Sequence, residues 1–407
     1  MTVAVVGGGL AGLAAALELV DAGEDVTLYE ARPTLGGAVQ TLPAREGDPQ
    51  PPPDNGQHIA LGCFTEYLRF LDRIGESGSY LRKRLGLPVI DERGGAAEIR
   101  PSLAGVLRYG HLSARERARV PRTLLRLRSA QSQPKESFGQ LLRRLGETEQ
   151  SINRFWDVFI RPALNLPADE VDAGAGLFTV RTALLGPRTN SDLILPTRPL
   201  GWMHGDAAGR VLGDRVRLDM KVEALDELDA DAIVVAVPPA ESARLLGESA
   251  SELEDSPIVS VHLWFDRQLL PQPLAALLGS DAHWIFDRGA LTDHRPERGQ
   301  YLTVVSSGVP ELLEVRGREL VDAIAGQLTE RLGEAELLWS RVSREPYATI
   351  ALRPGVVRPG IETSRPNVVR AGTWTDTGWP ATMESAVRSG RRAAQHILSG
   401  ASARVTA

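Results

Sequence analysis

A chain of 407 residues that holds one cysteine, Cys63, cannot form an intramolecular disulfide or a cysteine metal cluster, and it suits a reducing, cytoplasmic setting. Positive charge is not in excess: 46 Lys and Arg stand against 52 Asp and Glu, so a general nucleic-acid binder is not expected. Apolar runs are too short to span a bilayer. The opening residues carry neither the basic stretch nor the apolar core and cleavage site of a secretory signal. The seven histidines are scattered, without the ligand spacing of a metal site. What is present is ordinary globular composition, 43% hydrophobic and 24% charged, enough for two or three domain-sized units.

The first residues, "TVAVVGGGLAGLAAALELVDAGEDVTLYEA", read as a buried strand from Val3 to Val6, a glycine turn, an alanine-rich helix to about Asp21 and a second strand from Asp25 to Tyr29. Gly7, Gly9 and Gly12 have the G-x-G-x-x-G spacing. The first permits the turn, the second lets a pyrophosphate approach the backbone, and the third lets helix and strand pack closely. Glu30 ends the second strand, where a carboxylate can accept hydrogen bonds from an adenosine ribose. Just beyond it, "EARPTLGGAVQT" places Arg32 and the doublet Gly36-Gly37. This resembles the second FAD contact of the large flavoprotein superfamily that includes amine oxidases and phytoene desaturases. Ala38 departs from that pattern, since many relatives carry arginine there. No second glycine fingerprint marks a separate NADPH domain, so an external partner or the substrate must exchange electrons with the flavin.

The remaining pattern predicts an α/β fold: a Rossmann-like FAD-binding domain with a discontinuous substrate domain, the latter a second sheet plus a helical subdomain. Residues 1–75, 205–245 and 345–407 are assigned to FAD, 76–204 to the helical subdomain and 246–344 to the substrate-binding sheet. Leucines and arginines at helical spacing from Ile59 to about Gln150 carry the helical assignment. The return to short strands near "RVRLDMKVEALDELDADAIVVAVPP" places Val222 near the adenine and a core strand at Ile233–Val237.

Six stretches together resemble one branch of that superfamily, the squalene-associated FAD-dependent enzymes known as hydroxysqualene dehydroxylases. They are "DNGQHIALGCFTEYLRFLDRIG", "RPALNLPADEV", "LGPRTNSDLILP", "SPIVSVHLWFDR", "HWIFDR" and "AGTWTDTGWPATMESAVRSG", spread over nearly the whole chain. The resemblance implies reduction of an allylic alcohol, hydroxysqualene, to squalene by reduced FAD in a hopanoid or squalene pathway. It also implies an isoprenoid lipid substrate and an external electron donor. Two rivals stay open: an oxidative carotenoid-type desaturase or amine oxidase, and a flavin-bound lipid carrier without catalysis.

The resemblance places the ribityl-phosphate contact at Gly372-Thr373, where relatives have Gly-Asp. Asp376 is the alternative carboxylate of the same loop. Ala381, Thr382 and Met383 are expected against the isoalloxazine, with Gln57 and His58 as the other wall. Loss of the hydroxyl as water requires a proton donor. His58 is the first choice and Glu384 the second, and the faces of Trp374 and Trp379 suit allylic cation character. Those tryptophans equally suit packing of a terminal helix onto the core.

Arg108, Arg115, Arg117, Arg119, Arg122, Arg126 and Arg128 lie among leucines in an acidic chain. They read either as a solvated helix face or as a peripheral contact with the inner face of the cytoplasmic membrane.

Overall fold

The computed structural model describes residues 1–249 and 252–405. Positions 250–251 and 406–407, which fall within the ranges given above for the substrate sheet and the FAD unit, lie outside the described residues. In chain order, β1 (Thr2–Val6), α1 (Leu10–Asp21) and β2 (Asp25–Tyr29) open the fold. They are followed by β3 (Ala60–Leu61), α2 (Thr65–Arg73), β4 (Tyr80–Lys83), β5 (Leu87–Ile90), β6 (Ala96–Ile99), α3 (Leu103–Arg108) and α4 (Ala114–Leu127). Further helices, including Ala173–Thr179, lead to β7 (Leu193–Pro196), β8 (Val216–Arg217) and β9 (Ala232–Val235). The rest comprises β10 (Asp255–Phe265), β11 (Leu274–Leu277), β12 (Trp284–Asp287), β13 (Gln300–Ser307), β14 (Leu337–Ile350), β15 (Val368–Arg370) and a terminal helix, Met383–Val405.

The architecture is α/β. One sheet is parallel throughout, in the order β15-β9-β1-β2-β8, and its central strand β1 has valines buried on both faces, as parallel strands covered by helices require. A second, seven-stranded sheet runs β14-β10-β13-β12-β11-β5-β6, and a three-stranded sheet runs β3-β7-β4. The terminal helix lies on α1, which explains why both are built from small residues. A Cβ at Gly390 would collide with the backbone oxygen of Ala11.

The segment read as mostly helical, from Ile59 into the range 76–204, is corrected by the strands within it. β4 pairs with β7 in the small sheet, while β5 pairs in parallel with β11 through Val89–Ala276 and Ile90–Leu277. Four-residue strands are too short to display their own period, and β4 and β5 find partners far along the chain. Among the described residues no helix is long and apolar enough to cross a membrane.

Candidate functional site

Four parallel strands deliver their carboxyl ends to one edge of the sheet: Gly7 follows β1, Glu30 follows β2, Ala236 follows β9, and Ala371-Gly372 follows β15. Ligands of open α/β sheets bind at such an edge. The glycine loop there is shaped by contacts that only glycine allows. Gly7 has φ +107°, and a Cβ at Gly12 would collide with the Gly7 carbonyl oxygen. Gly9 is different. A Cβ there would meet only Gly37 Cα at 3.8 Å, and no side chain caps the N-terminus of α1 that Gly9 precedes. That leaves the helix's first N–H groups free for an anion, so the cradle fits a dinucleotide pyrophosphate.

The doublet Gly36-Gly37 packs onto this loop: Gly36 N donates to Gly8 O at 2.8 Å, and a Cβ at Gly37 would sit 2.8 Å from Gly9 Cα. Glu30 is buried beside it. Its carboxylate accepts from Gly8 N at 2.7 Å and from Arg32 N at 2.9 Å. The Arg32 side chain is exposed, and Val222 is buried among β1 and β9 residues.

On the C-terminal side, Ala371 N donates to Val235 O at 2.9 Å, tying the turn to β9. Gly372 has φ +152° and no room for a Cβ, because the Trp374 indole lies over it. Trp374 is buried and donates to Val237 O at 3.1 Å. Thr373 is half-buried, whereas Asp376 is exposed, accepts from Gly378 N at 3.0 Å and faces Arg358. Asp376 therefore stabilises its own turn. Ala381, Thr382 and Met383 are half-buried at the start of the terminal helix, and Thr349 Oγ1 donates to Ala381 O at 3.2 Å.

The two proton-donor candidates lie in different surroundings. Glu384 is fully buried and accepts from Tyr67 N at 2.8 Å, Glu66 N at 3.2 Å and Arg388 Nε at 2.8 Å. Burial raises its pKa, and those backbone and guanidinium donors oppose the rise. Those three N–H donors tie the carboxyl to the start of α2, while burial leaves its pKa raised overall. His58 is half-buried beside Gln57, and desolvation pushes its imidazole down to about 4. It is thus neutral at neutral pH, an acceptor and weak donor rather than a charged acid. The aromatic assignments change. Trp379 already holds a cation, the Arg388 guanidinium, 4.7 Å from its ring centre, while Trp374 is committed to Val237.

Two buried groupings escaped the sequence reading. Arg288, at the end of "HWIFDR", forms an ion pair with Asp54 at 2.6 Å and reaches Pro52 O at 3.2 Å and Gln57 Oε1 at 3.4 Å. Asp54 also accepts from Thr41 Oγ1 at 2.7 Å and Leu200 N at 2.9 Å. In the second grouping, His204 Nδ1 lies 2.7 Å from Leu200 O and Nε2 lies 2.8 Å from Tyr67 Oη. A carbonyl can only accept, so Nδ1 carries the proton and Tyr67 donates to Nε2. Burial holds His204 at about 4, consistent with the neutral ring. The only sequence signals were a histidine and an arginine in apolar surroundings.

The family model described as flavin containing amine oxidoreductase matches residues 10–398. Hydroxysqualene dehydroxylase of Sinorhizobium fredii is 30% identical, over 97% of this chain and 98% of that protein. The chloroplastic/chromoplastic zeta-carotene desaturase of Zea mays is 25% identical, over 98% of this chain and 83% of its own. Cyclohexylamine oxidase from Brevibacterium oxydans shares the fold with a TM-score of 0.74 at 18% identity, over 98% of this chain and 99% of that one.

Proposed function

The chain belongs to the flavin containing amine oxidoreductases and is a flavin-dependent oxidoreductase, and from that premise we propose that it binds FAD and reduces hydroxysqualene to squalene. The observation that carries this reading is the 30% identity to a hydroxysqualene dehydroxylase over nearly the full length of both chains. In this assignment the N-terminus of α1 at Gly7, Gly9 and Gly12 receives the pyrophosphate, and Glu30 takes the adenosine ribose with Arg32 beside it. Val222 lies toward the adenine, and Gly372-Thr373 holds the ribityl chain. Gln57 and His58 form one wall of the ring site, and Ala381, Thr382 and Met383 form the other.

With FAD held there in reduced form, the chemistry available at the allylic carbon would be hydride donation. The protein's share is to orient the alcohol, exclude water and bring one proton to the departing hydroxyl, so that alcohol, hydride and proton yield alkene and water. His58 is the side chain assigned to that hydroxyl. Its neutral ring can hydrogen-bond the oxygen, and proton delivery needs the imidazolium, so donation through His58 is favoured as pH falls.

Re-reduction of a bound flavin would need an external electron donor. The lipid substrate is proposed to be met at a membrane surface through α3 and α4, where Leu103 and Leu125 are more than 60% exposed beside exposed Arg115, Arg122 and Arg126. The decisive experiment is anaerobic single turnover: chemically reduced enzyme mixed with hydroxysqualene is expected to regain oxidised-flavin absorbance and form squalene in equal amount. The identity to a zeta-carotene desaturase supports a second reading, an oxidative isoprenoid desaturase. In that case hydroxysqualene leaves the reduced enzyme unchanged and a polyene bleaches the oxidised one.

A further inference from the structure

A cavity of about 260 Å³ opens between the helix Ala173–Thr179, the segment 352–358 and the loop ahead of the terminal helix. Its apolar wall consists of Ala175, Phe178, Leu352, Val356, Trp379 and Pro380. At roughly 30 Å³ for each water-sized volume it holds a segment of a long chain, not a whole thirty-carbon molecule. Trp379 is fixed within it. Phe178 meets the indole edge-on at 5.0 Å, Phe64 at 6.0 Å, and Arg388 covers it at 4.7 Å. Trp379 and Pro380 run directly into Ala381–Met383, so the cavity adjoins the segment assigned above to the flavin ring.

The charged groups at its margin are mostly committed. Asp172 accepts from Gly174 N at 2.8 Å and Ala175 N at 3.1 Å, and Arg353 pairs with Glu170 and Glu254. Arg358 differs. Its Nη2 reaches Asp376 at 3.5 Å, the outer limit of a hydrogen bond, and its Nη1 is buried with no hydrogen-bond partner among the described residues. A buried guanidinium nitrogen without an acceptor costs free energy that a ligand oxygen can recover. The combination is an aromatic and aliphatic wall with one unsatisfied donor and no surplus of free charge.

The geometry points to an outer subsite for one arm of an isoprenoid alcohol, occupied before the alcohol reaches the ring site and His58, its carbon chain lying against Phe178 and Trp379 and its hydroxyl accepting from Arg358. This assignment rests on the isoprenoid reading of the proposed function and names the residues that select the substrate. A phosphate or carboxylate head is disfavoured by Asp172 in the wall and by Asp376 beside Arg358.

The test is calorimetric titration of the flavin-loaded protein with farnesol and with farnesene, a hydrocarbon of equal carbon number. The wild type is expected to favour farnesol by roughly tenfold or more, the size of a hydrogen bond to a charged group. Arg358→Met should bring the two affinities together, and Ala175→Phe should weaken both at least tenfold. Val356→Trp, a filling change at the half-buried rim, gives the same readout if Ala175→Phe loses flavin. Wild-type affinity for both probes in both filled variants overturns the subsite, and an unchanged farnesol preference in Arg358→Met overturns the hydroxyl contact. A wild type that binds neither probe also overturns the subsite, while dehydroxylation itself stands or falls on squalene formation in the single-turnover experiment.

Discussion

Arg288 and Asp54 meet at 2.6 Å with both side chains about 2% exposed, joining the end of β12 in the seven-stranded sheet to the loop that carries Gln57 and His58. Burial raises the pKa of Asp54, and the Arg288 charge beside it acts in the opposite sense. Such a pair gives up two hydration shells, so its main contribution is to set the position of the loop. Removing one partner should therefore cost far more than removing both. Arg288→Met is expected to destabilise the protein by about 3–5 kcal/mol and Arg288→Met with Asp54→Asn by clearly less. Denaturant unfolding of the two variants checks this, and equal losses would mean that the ion pair is not the unit that matters.

Glu30 bridges the glycine loop and Arg32, so its removal strips acceptors from Gly8 N and Arg32 N as well as from the ribose proposed to bind there. Glu30→Ala is expected to weaken FAD binding by about 1.5–3 kcal/mol, measured by titrating apoprotein with FAD. Unchanged affinity would remove the ribose assignment.

Burial lowers the pKa of His58 and His204 to about 4 and of His262 and His283 to about 3. All four lie below the usual histidine value near 6.5, so the unfolded chain binds more protons across that interval. Stability is therefore complete above about pH 6.5 and falls as pH drops toward 4. Urea unfolding at pH 7 and pH 5 should show the loss, and a flat response would mean that these rings are charged in the fold.

For the chemical step, His58→Ala should slow reoxidation of the reduced flavin by hydroxysqualene by roughly 10²–10⁴-fold with FAD retained. The wild-type rate should rise as pH falls below neutrality, as far as the fold tolerates. A variant with the wild-type rate would place the proton donor elsewhere without changing the reaction class.

Exposed Leu103, Leu107 and Leu125 beside the arginines of α4 favour the membrane reading over a solvated face. Binding to anionic liposomes should weaken with salt, since charges at about 0.1 M ionic strength are screened over roughly 10 Å. Replacing Arg115, Arg119, Arg122 and Arg126 with glutamine should release the protein with its flavin content unchanged. Salt-independent binding, or none, returns these residues to a solvated helix face.

The opening unit was legible from sequence because each part is local. A buried valine strand, a glycine turn, an alanine helix and a second strand follow one another within thirty residues, and the start of the terminal helix near Met383 is equally local. Chain-wide likeness then supplied the reaction class, which no local pattern holds. Tertiary structure alone decided the places of β4 and β5, whose partners β7 and β11 lie far along the chain, and brought Glu384 to Tyr67 across 317 positions. It also brought Arg288 to Gln57 across 231 positions and set the His204 tautomer through the Leu200 carbonyl. Hydrogen bonds and ion pairs of this kind depend on where distant backbones meet, whereas residue type and spacing report only what neighbouring residues do to one another.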